Sequence, residues 1–314
     1  MQMVLLGLMM FTLVSFFTVV AYLLIPLFTG TSITDISKLS ETSPRNIKDA
    51  FLFFQGLSSV GIFLAPAALF AYMMHPRPVA YLGLRKPGSA IHWILVPVVM
   101  LGAIPVLLGI ESIFREINLG GKMQDLQNQN DNALKALLTM NSFSDFLKAF
   151  IVMSIFPGIC EELLFRGVLM RMAFVRTQKI GVAIALSSFV FAVVHYNPVG
   201  LFAIFFAAVL LGLIYYLTGS LWMSMLAHFL NNGLQIMLMY MGTKNAAIKT
   251  FVEGNSIPLY FPLAGAAVFA GAFYLLWKYR TPLPDDWADD FAGETRETEN
   301  DEERRDVKDS DIDN

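Results

Sequence analysis

The chain has 314 residues, of which 56% are hydrophobic and only 15% charged, against roughly 25% charged in an ordinary soluble domain, so lipid rather than water is the expected solvent. The net charge of −3 joins two unlike parts: residues 281–314 hold fourteen acids and four bases, whereas the rest hold eleven acids and eighteen bases. That basic body suits anionic headgroups, and no basic patch with interleaved aromatics suggests nucleic acid.

A membrane-crossing helix needs about 20 mostly apolar residues. Such stretches run at roughly 3–29, 51–74, 91–113, 146–172, 180–197, 199–217, 220–241 and 257–279. They predict an all-α fold, a polytopic bundle of about eight transmembrane helices. The fifth and sixth stretches are short and meet near Asn197-Pro198, which leaves seven as the alternative count. The first has no base before it and is too long for a signal-peptide core, so it is read as a retained helix. Gly56-Leu57-Ser58-Ser59-Val60-Gly61 on the second reads as small residues for helix contact. His75 and His92 sit at span ends and read as interfacial, and Trp93, Trp222 and Trp277 fit an aromatic belt.

Between the spans, 75–90 carries Arg77, Arg85 and Lys86 without an acid, and 171–179 carries Arg171, Arg176 and Lys179. Lys278 and Arg280 follow the last span. With eight spans these three segments share one side, which the positive-inside tendency makes cytoplasmic. In the long 119–145 connection, Asp131–Met140 is expected as an interfacial helix with Leu134, Leu137 and Leu138 on one face. After Pro282 the polar, acidic composition predicts a disordered cytoplasmic tail. Four regions follow: N-terminal helices over 1–144, a core over 145–241, a C-terminal span over 242–280 and the tail over 281–314.

The informative residues are those that interrupt the apolar spans. The fourth contains Glu161-Glu162-Leu-Leu-Phe-Arg166, preceded by Pro157-Gly158; the fifth contains Phe191-Ala-Val-Val-His195; the seventh contains His228-Phe-Leu-Asn231-Asn232. An ionisable group in hydrocarbon costs about 2.5–3.5 kcal/mol or more, so its default reading is functional. Glu162 and Arg166, four apart, share a helix face and can pair. Glu161 points about 100° away, without that partner, the position of a candidate general base. If the fourth and fifth spans form a hairpin turning near Gln178, Glu161 and His195 lie seventeen residues from it on either side, at one depth. In isolation, either histidine would more simply be a hydrogen-bonded packing residue, and Glu162–Arg166 a structural pair.

The three motifs together resemble the CPBP family of intramembrane proteases, the CAAX protease and bacteriocin-processing enzymes also called Abi. The resemblance covers roughly 145–241 and implies a catalytic core of four helices. It implies hydrolysis by an activated water, with Glu161 as general base, His195 helping to hold the water, and His228 and Asn232 holding the water or stabilising the oxyanion. Glu162, Arg166 and Phe191 would support them. It also implies a membrane-associated or lipidated protein or peptide as substrate, and a multi-pass protein of the cell membrane. Glu161, His195 and His228 could hold a divalent metal such as zinc, a His₂Glu set, or activate water directly. No His-Glu-x-x-His, Gly-x-Ser-x-Gly or pair of membrane aspartates supports another protease class, and the single cysteine, Cys160, allows no intrachain disulfide. Two alternatives stay open: a catalytically silent scaffold or bacteriocin-immunity factor of the same fold, and a proton-coupled transporter.

Overall fold

A computed structural model describes residues 2–36, 39–117, 120–253, 257–284 and 287–288. Among these residues all regular structure is helical. The first helix, α1, spans Gln2–Thr29, followed by α2 (Arg45–Met74), α3 (His92–Arg115), α4 (Gly121–Leu138) and α5 (Phe143–Thr177). The chain continues through α6 (Ile180–Val194), α7 (Leu201–Thr218), α8 (Leu221–Gly242), α9 (Ala246–Glu253) and α10 (Tyr260–Lys278). Helices α1, α2, α3, α5, α7 and α10 are each long and apolar enough to cross a membrane. The other two expected spans are also helical: α6 is short, at 15 residues, and the His, Asn and Gln residues of α8 dilute its apolar character. The protein is an integral membrane protein with a polytopic helical bundle.

Two of the long helices share a backbone device. In α2 the residues Val60–Leu64 form a π-helical turn followed by Pro66; in α5 Ile151–Ile155 do the same, followed by Pro157. Proline has no N–H and crowds the carbonyl four residues earlier. Widening the turn to i→i+5, with Ala65 donating to Val60 and Phe156 to Ile151, accommodates it without breaking the helix. A third π turn, Leu163–Leu169, follows the glutamates of α5.

Helices in lipid are held by close packing and polar contacts, because hydrocarbon is already apolar. One cluster joins Phe70 of α2, Leu164, Phe165 and Val168 of α5, Phe191 of α6, Tyr215 of α7 and Met225 of α8. A second joins Val96 and Met100 of α3, Ile214 and Leu217 of α7, Met223 and Ala227 of α8, and Leu276 of α10. So α7 and α8 lie between two packed layers. The small-residue stretch of α2 behaves as expected at Gly61, where a Cβ would come within 2.6 Å of Phe17 on α1.

The two ends of the bundle differ. At one end Leu221 N–H donates to Gly83 O, Ser220 Oγ donates to Arg85 O, and Thr281 N–H donates to Leu217 O. The Arg171 guanidinium stacks 3.9 Å from the Tyr81 ring centroid. All three arginine- and lysine-rich connections meet here. Leu283, Trp287 and Ala288, expected in the disordered tail, are instead buried at this end, with Trp287 against Phe174 and Tyr215. Local hydrophobicity corrects that boundary: two large apolar side chains followed by a run of acids still find a pocket. Residues 289–314 of the tail lie outside the described residues. At the opposite end lies α4, longer than Asp131–Met140 and starting at Gly121; Leu137 and Leu138 are buried, but Leu134 is exposed.

Candidate active site

The site begins with the break in α5. Pro157 cannot give an N–H to the carbonyl of Met153; Asn232 on α8 donates its Nδ2–H to that carbonyl at 3.2 Å. One residue on, Gly158 lets the two helices meet, since a Cβ there would lie 3.3 Å from the backbone of Met225 and Phe229. The close approach sets Cys160-Glu161-Glu162 against the turn of α8 that carries Ser224 and His228.

Glu162 is the hub. It is fully buried, and each carboxylate oxygen is engaged. Arg166 donates to Oε1 at 2.7 Å, His228 Nδ1 lies 2.9 Å from the same oxygen, and Ser224 donates to Oε2 at 2.6 Å. A carboxylate paired with a guanidinium is ionised, so the Nδ1 of His228 must be the donor. Arg166 is itself fully buried; its second arm donates to the carbonyl of Ala208 at 2.8 Å, and its plane lies 4.8 Å from the Phe191 ring centroid. Desolvating either ion alone costs several kcal/mol, and only this mutual satisfaction makes the pair tolerable.

Glu161 faces the other way, as the helical step requires. Its Oε2 is buried without a hydrogen-bond partner among the described residues. Two imidazole nitrogens approach it: His195 Nε2 at 3.8 Å and His228 Nε2 at 4.0 Å. His195 caps α6 just after Val194, and its Nδ1 donates to the Phe191 carbonyl at 2.6 Å. Both rings therefore commit Nδ1–H to a fixed acceptor and turn Nε2 towards Glu161. Phe191 packs 4.4 Å from the His195 ring and 5.7 Å from the His228 ring, walling the site between them.

Three polar atoms thus face one small space. With both imidazoles neutral all three are acceptors: a water would satisfy two of them at once, a cation all three. A metal-binding histidine commonly donates its second nitrogen to a carboxylate or carbonyl, as both do here. The residue types are those of a His₂Glu zinc set, but among the described residues no group of three or more His, Cys, Asp or Glu is close enough together to hold a metal ion.

The structure brings Glu161, Glu162, Arg166, Phe191, His195 and His228 into one cluster, with Gln178 as the left-handed turn between α5 and α6 (φ 54°). Asn232 lies one turn from His228, with Nδ2 on Met153 O and Oδ1 accepting from Asn231. Sequence reasoning missed Ser224. Its signal was its place four residues before His228, on the same face of α8, but a serine in a membrane helix is too common to single out. His75 and His92 stand apart: His75 Nδ1 accepts from Arg77 N–H, and His92 Nε2 donates to Tyr279 O.

Residues 143–234 match the family described as Rce1-like, type II CAAX prenyl endopeptidase. The match contains all three motifs and bears out the resemblance to CPBP/CAAX membrane proteases. No curated protein and no solved structure matches the chain.

Proposed function

We propose that this membrane protein, whose residues 143–234 match the CAAX protease family, hydrolyses a peptide bond of a membrane-associated or lipidated protein with a water activated by Glu161 and two histidines. The observation that carries the reading is the unpartnered Oε2 of Glu161 within 4.0 Å of two imidazole Nε2 atoms. A buried acceptor left bare is costly. A structural role gives no reason to keep it so; a water-activating role does.

In the proposed reaction a water donates one hydrogen to Glu161 Oε2 and the other to an imidazole Nε2. Glu161 takes the first proton as the water oxygen attacks the scissile carbonyl carbon. The tetrahedral intermediate then expels the amine, which takes that proton from Glu161 as the C–N bond breaks. His195, at the open edge with about a third of its side chain exposed, is placed to meet the substrate. The second hydrogen of the water goes to His195 Nε2, which leaves His228 to donate to the oxyanion. For that His228 must carry a proton on Nε2 as well as on Nδ1, a charge that Glu162 at 2.9 Å would offset. Such a preorganised donor is worth about 2.7–4 kcal/mol where it has been measured. Glu162, Arg166 and Ser224 act through His228, as positioning residues. Asn232 holds the break in α5.

Glu161, His195 and His228 would be the ligands of a divalent ion such as zinc. When bound, such an ion would supply Lewis-acid polarisation of water and carbonyl.

An apolar groove of about 230 Å³, lined by Ile155, Ile159, Trp222, Met225 and Phe229, runs along the two helices that carry Glu161 and His228, which supports a substrate with a lipid chain. Positive-inside bias favours placing the Arg171 end in the cytoplasm of a cell membrane. The test is substrate trapping: Glu161→Gln protein, photo-crosslinked in membranes, should retain intact substrates that wild type releases as fragments. Recovery of the same uncut partners from both proteins would favour a scaffold.

A further inference from the structure

At the end of the bundle away from the arginine-rich connections, helix α4 touches the chain just after His195. Asn130 donates its Nδ2–H to the Tyr196 carbonyl at 2.6 Å. Gln127, buried, accepts the Val199 N–H on Oε1 at 3.1 Å. The orientation of the Gln127 amide is itself fixed. Its Nε2–H donates to Asp131 Oδ1 at 2.9 Å, and Asp131 Oδ2 accepts from Arg115 at the end of α3. Arg115 is steadied in turn by Glu111, at 2.7 Å. A relay of side chains therefore runs from α3 through α4 to the backbone of residues 196–199.

What it holds is strained. Tyr196 has φ 49°, in the left-handed region, where a bulky side chain is a true outlier that persists only if its surroundings impose it. Val199 is the next buried anchor of the turn, before α7 begins at Leu201. Between them Asn197 Oδ1 accepts the Gly200 N–H at 2.9 Å. The strained residue directly follows His195, whose backbone direction decides where its Nε2 points.

We propose that α4 is a clamp for His195: Asn130 and Gln127 hold the Tyr196–Val199 turn in its strained form, and that turn keeps the His195 imidazole aimed at Glu161. They are positioning residues, since neither touches the reacting atoms. This inference rests on the hydrolase reading for its catalytic consequence, but the clamp itself has an independent readout.

The experiment uses the full chain in lipid nanodiscs and compares wild type, Asn130→Ala, Gln127→Ala, Tyr196→Asn and the Asn130→Ala/Tyr196→Asn double variant. Hydrogen exchange over residues 195–200 and carbethoxylation of His195 by diethyl pyrocarbonate, referenced to half-buried His75, need no substrate. Both should rise in Asn130→Ala and Gln127→Ala without a matching fall in melting temperature. Asparagine tolerates the left-handed region, so Tyr196→Asn should relieve the strain and shrink the effect of Asn130→Ala. With a quenched farnesylated CAAX-box peptide as probe, Asn130→Ala should lower kcat by about 10- to 100-fold with KM little changed, the scale expected when a reacting group is misplaced by an ångström. If wild type leaves the peptide uncut, the hydrolase reading fails on that probe, while exchange and labelling still decide the clamp. Unchanged exchange and unchanged His195 labelling in both single variants would overturn it, as would an Asn130→Ala effect of equal size in the wild-type and Tyr196→Asn backgrounds.

Discussion

His228 Nδ1 lies 2.9 Å from Oε1 of Glu162, the oxygen that also accepts from Arg166 at 2.7 Å. The contact divides the two adjacent glutamates by task. Glu162 is saturated with donors and orients the ring; Glu161, one helical step round, is left open towards the far nitrogen of the same ring.

The Arg166 side chain should be the least replaceable part of that arrangement. Arg166→Met leaves ionised Glu162 buried without its counter-charge, which is expected to cost about 3–5 kcal/mol. Lysine has one point charge in place of the planar fork that reaches both Glu162 and Ala208 O, so Arg166→Lys should rescue little. Thermal unfolding in detergent measures both. An Arg166→Met protein as stable as wild type would contradict the need for Arg166 as the counter-charge of Glu162.

Asn232 is expected to act on the fold of α5. Asn232→Ala removes the donor to Met153 O, a half-buried contact, and should cost about 0.5–1.5 kcal/mol, the net worth of one hydrogen bond. Pro157→Ala restores an N–H four residues after Met153, so the double variant Pro157→Ala/Asn232→Ala should recover part of the loss. The readout is melting temperature across the four-protein cycle. Strict additivity would mean that the two residues serve different carbonyls.

Trp287 should anchor the last described turn. Its ring sits against Phe174 and Tyr215, and Leu283 beside it donates its N–H to Tyr216 O. Trp287→Ala is expected to cost about 3–5 kcal/mol, the usual range for a buried aromatic. Limited proteolysis at the chain's C-terminal end reports it: cleavage near Thr281 should appear in the variant before the bundle melts.

A cation at this site would leave a definite residue signature, whereas the proposed reaction, in which water meets Glu161 and an imidazole directly, needs none. Mass spectrometry of the purified proteins for metals separates the two: an ion held here would be present in wild type and lost in both His195→Ala and His228→Ala. Metal content that is zero in wild type, or equal in all three proteins, would favour direct activation of water by Glu161.

Much of the site was legible because charge in hydrocarbon is expensive. Glu161, Glu162, Arg166, His195 and His228 stand out of apolar runs, and the count of seventeen residues on either side of Gln178 placed Glu161 and His195 at one depth, as their 3.8 Å separation bears out. Ser224 was hidden because a hydroxyl in a membrane helix is cheap and frequent. The π turns were hidden because hydrophobicity records which residues face lipid, not which carbonyl each N–H meets; Pro66 and Pro157 were the only marks. Leu283 and Trp287 were masked by the acids that follow them. The first half of α4 was masked by Gln and Asn residues that look like loop; Gln127 and Asn130 in fact bond the chain beside His195.

The central claim is that Glu161, His195 and His228 work on one water. The most direct measurement is a quantitative comparison of new peptide termini in membranes from cells expressing wild type, Glu161→Gln, His195→Ala or His228→Ala at equal levels. The account predicts a set of cleavage products present with wild type and lost in all three variants, with Glu161→Gln/His195→Ala no worse than Glu161→Gln alone, as expected of groups that act as a unit. Identical termini in wild type and Glu161→Gln would contradict it and leave a membrane protein with a protease-like site that does not cut.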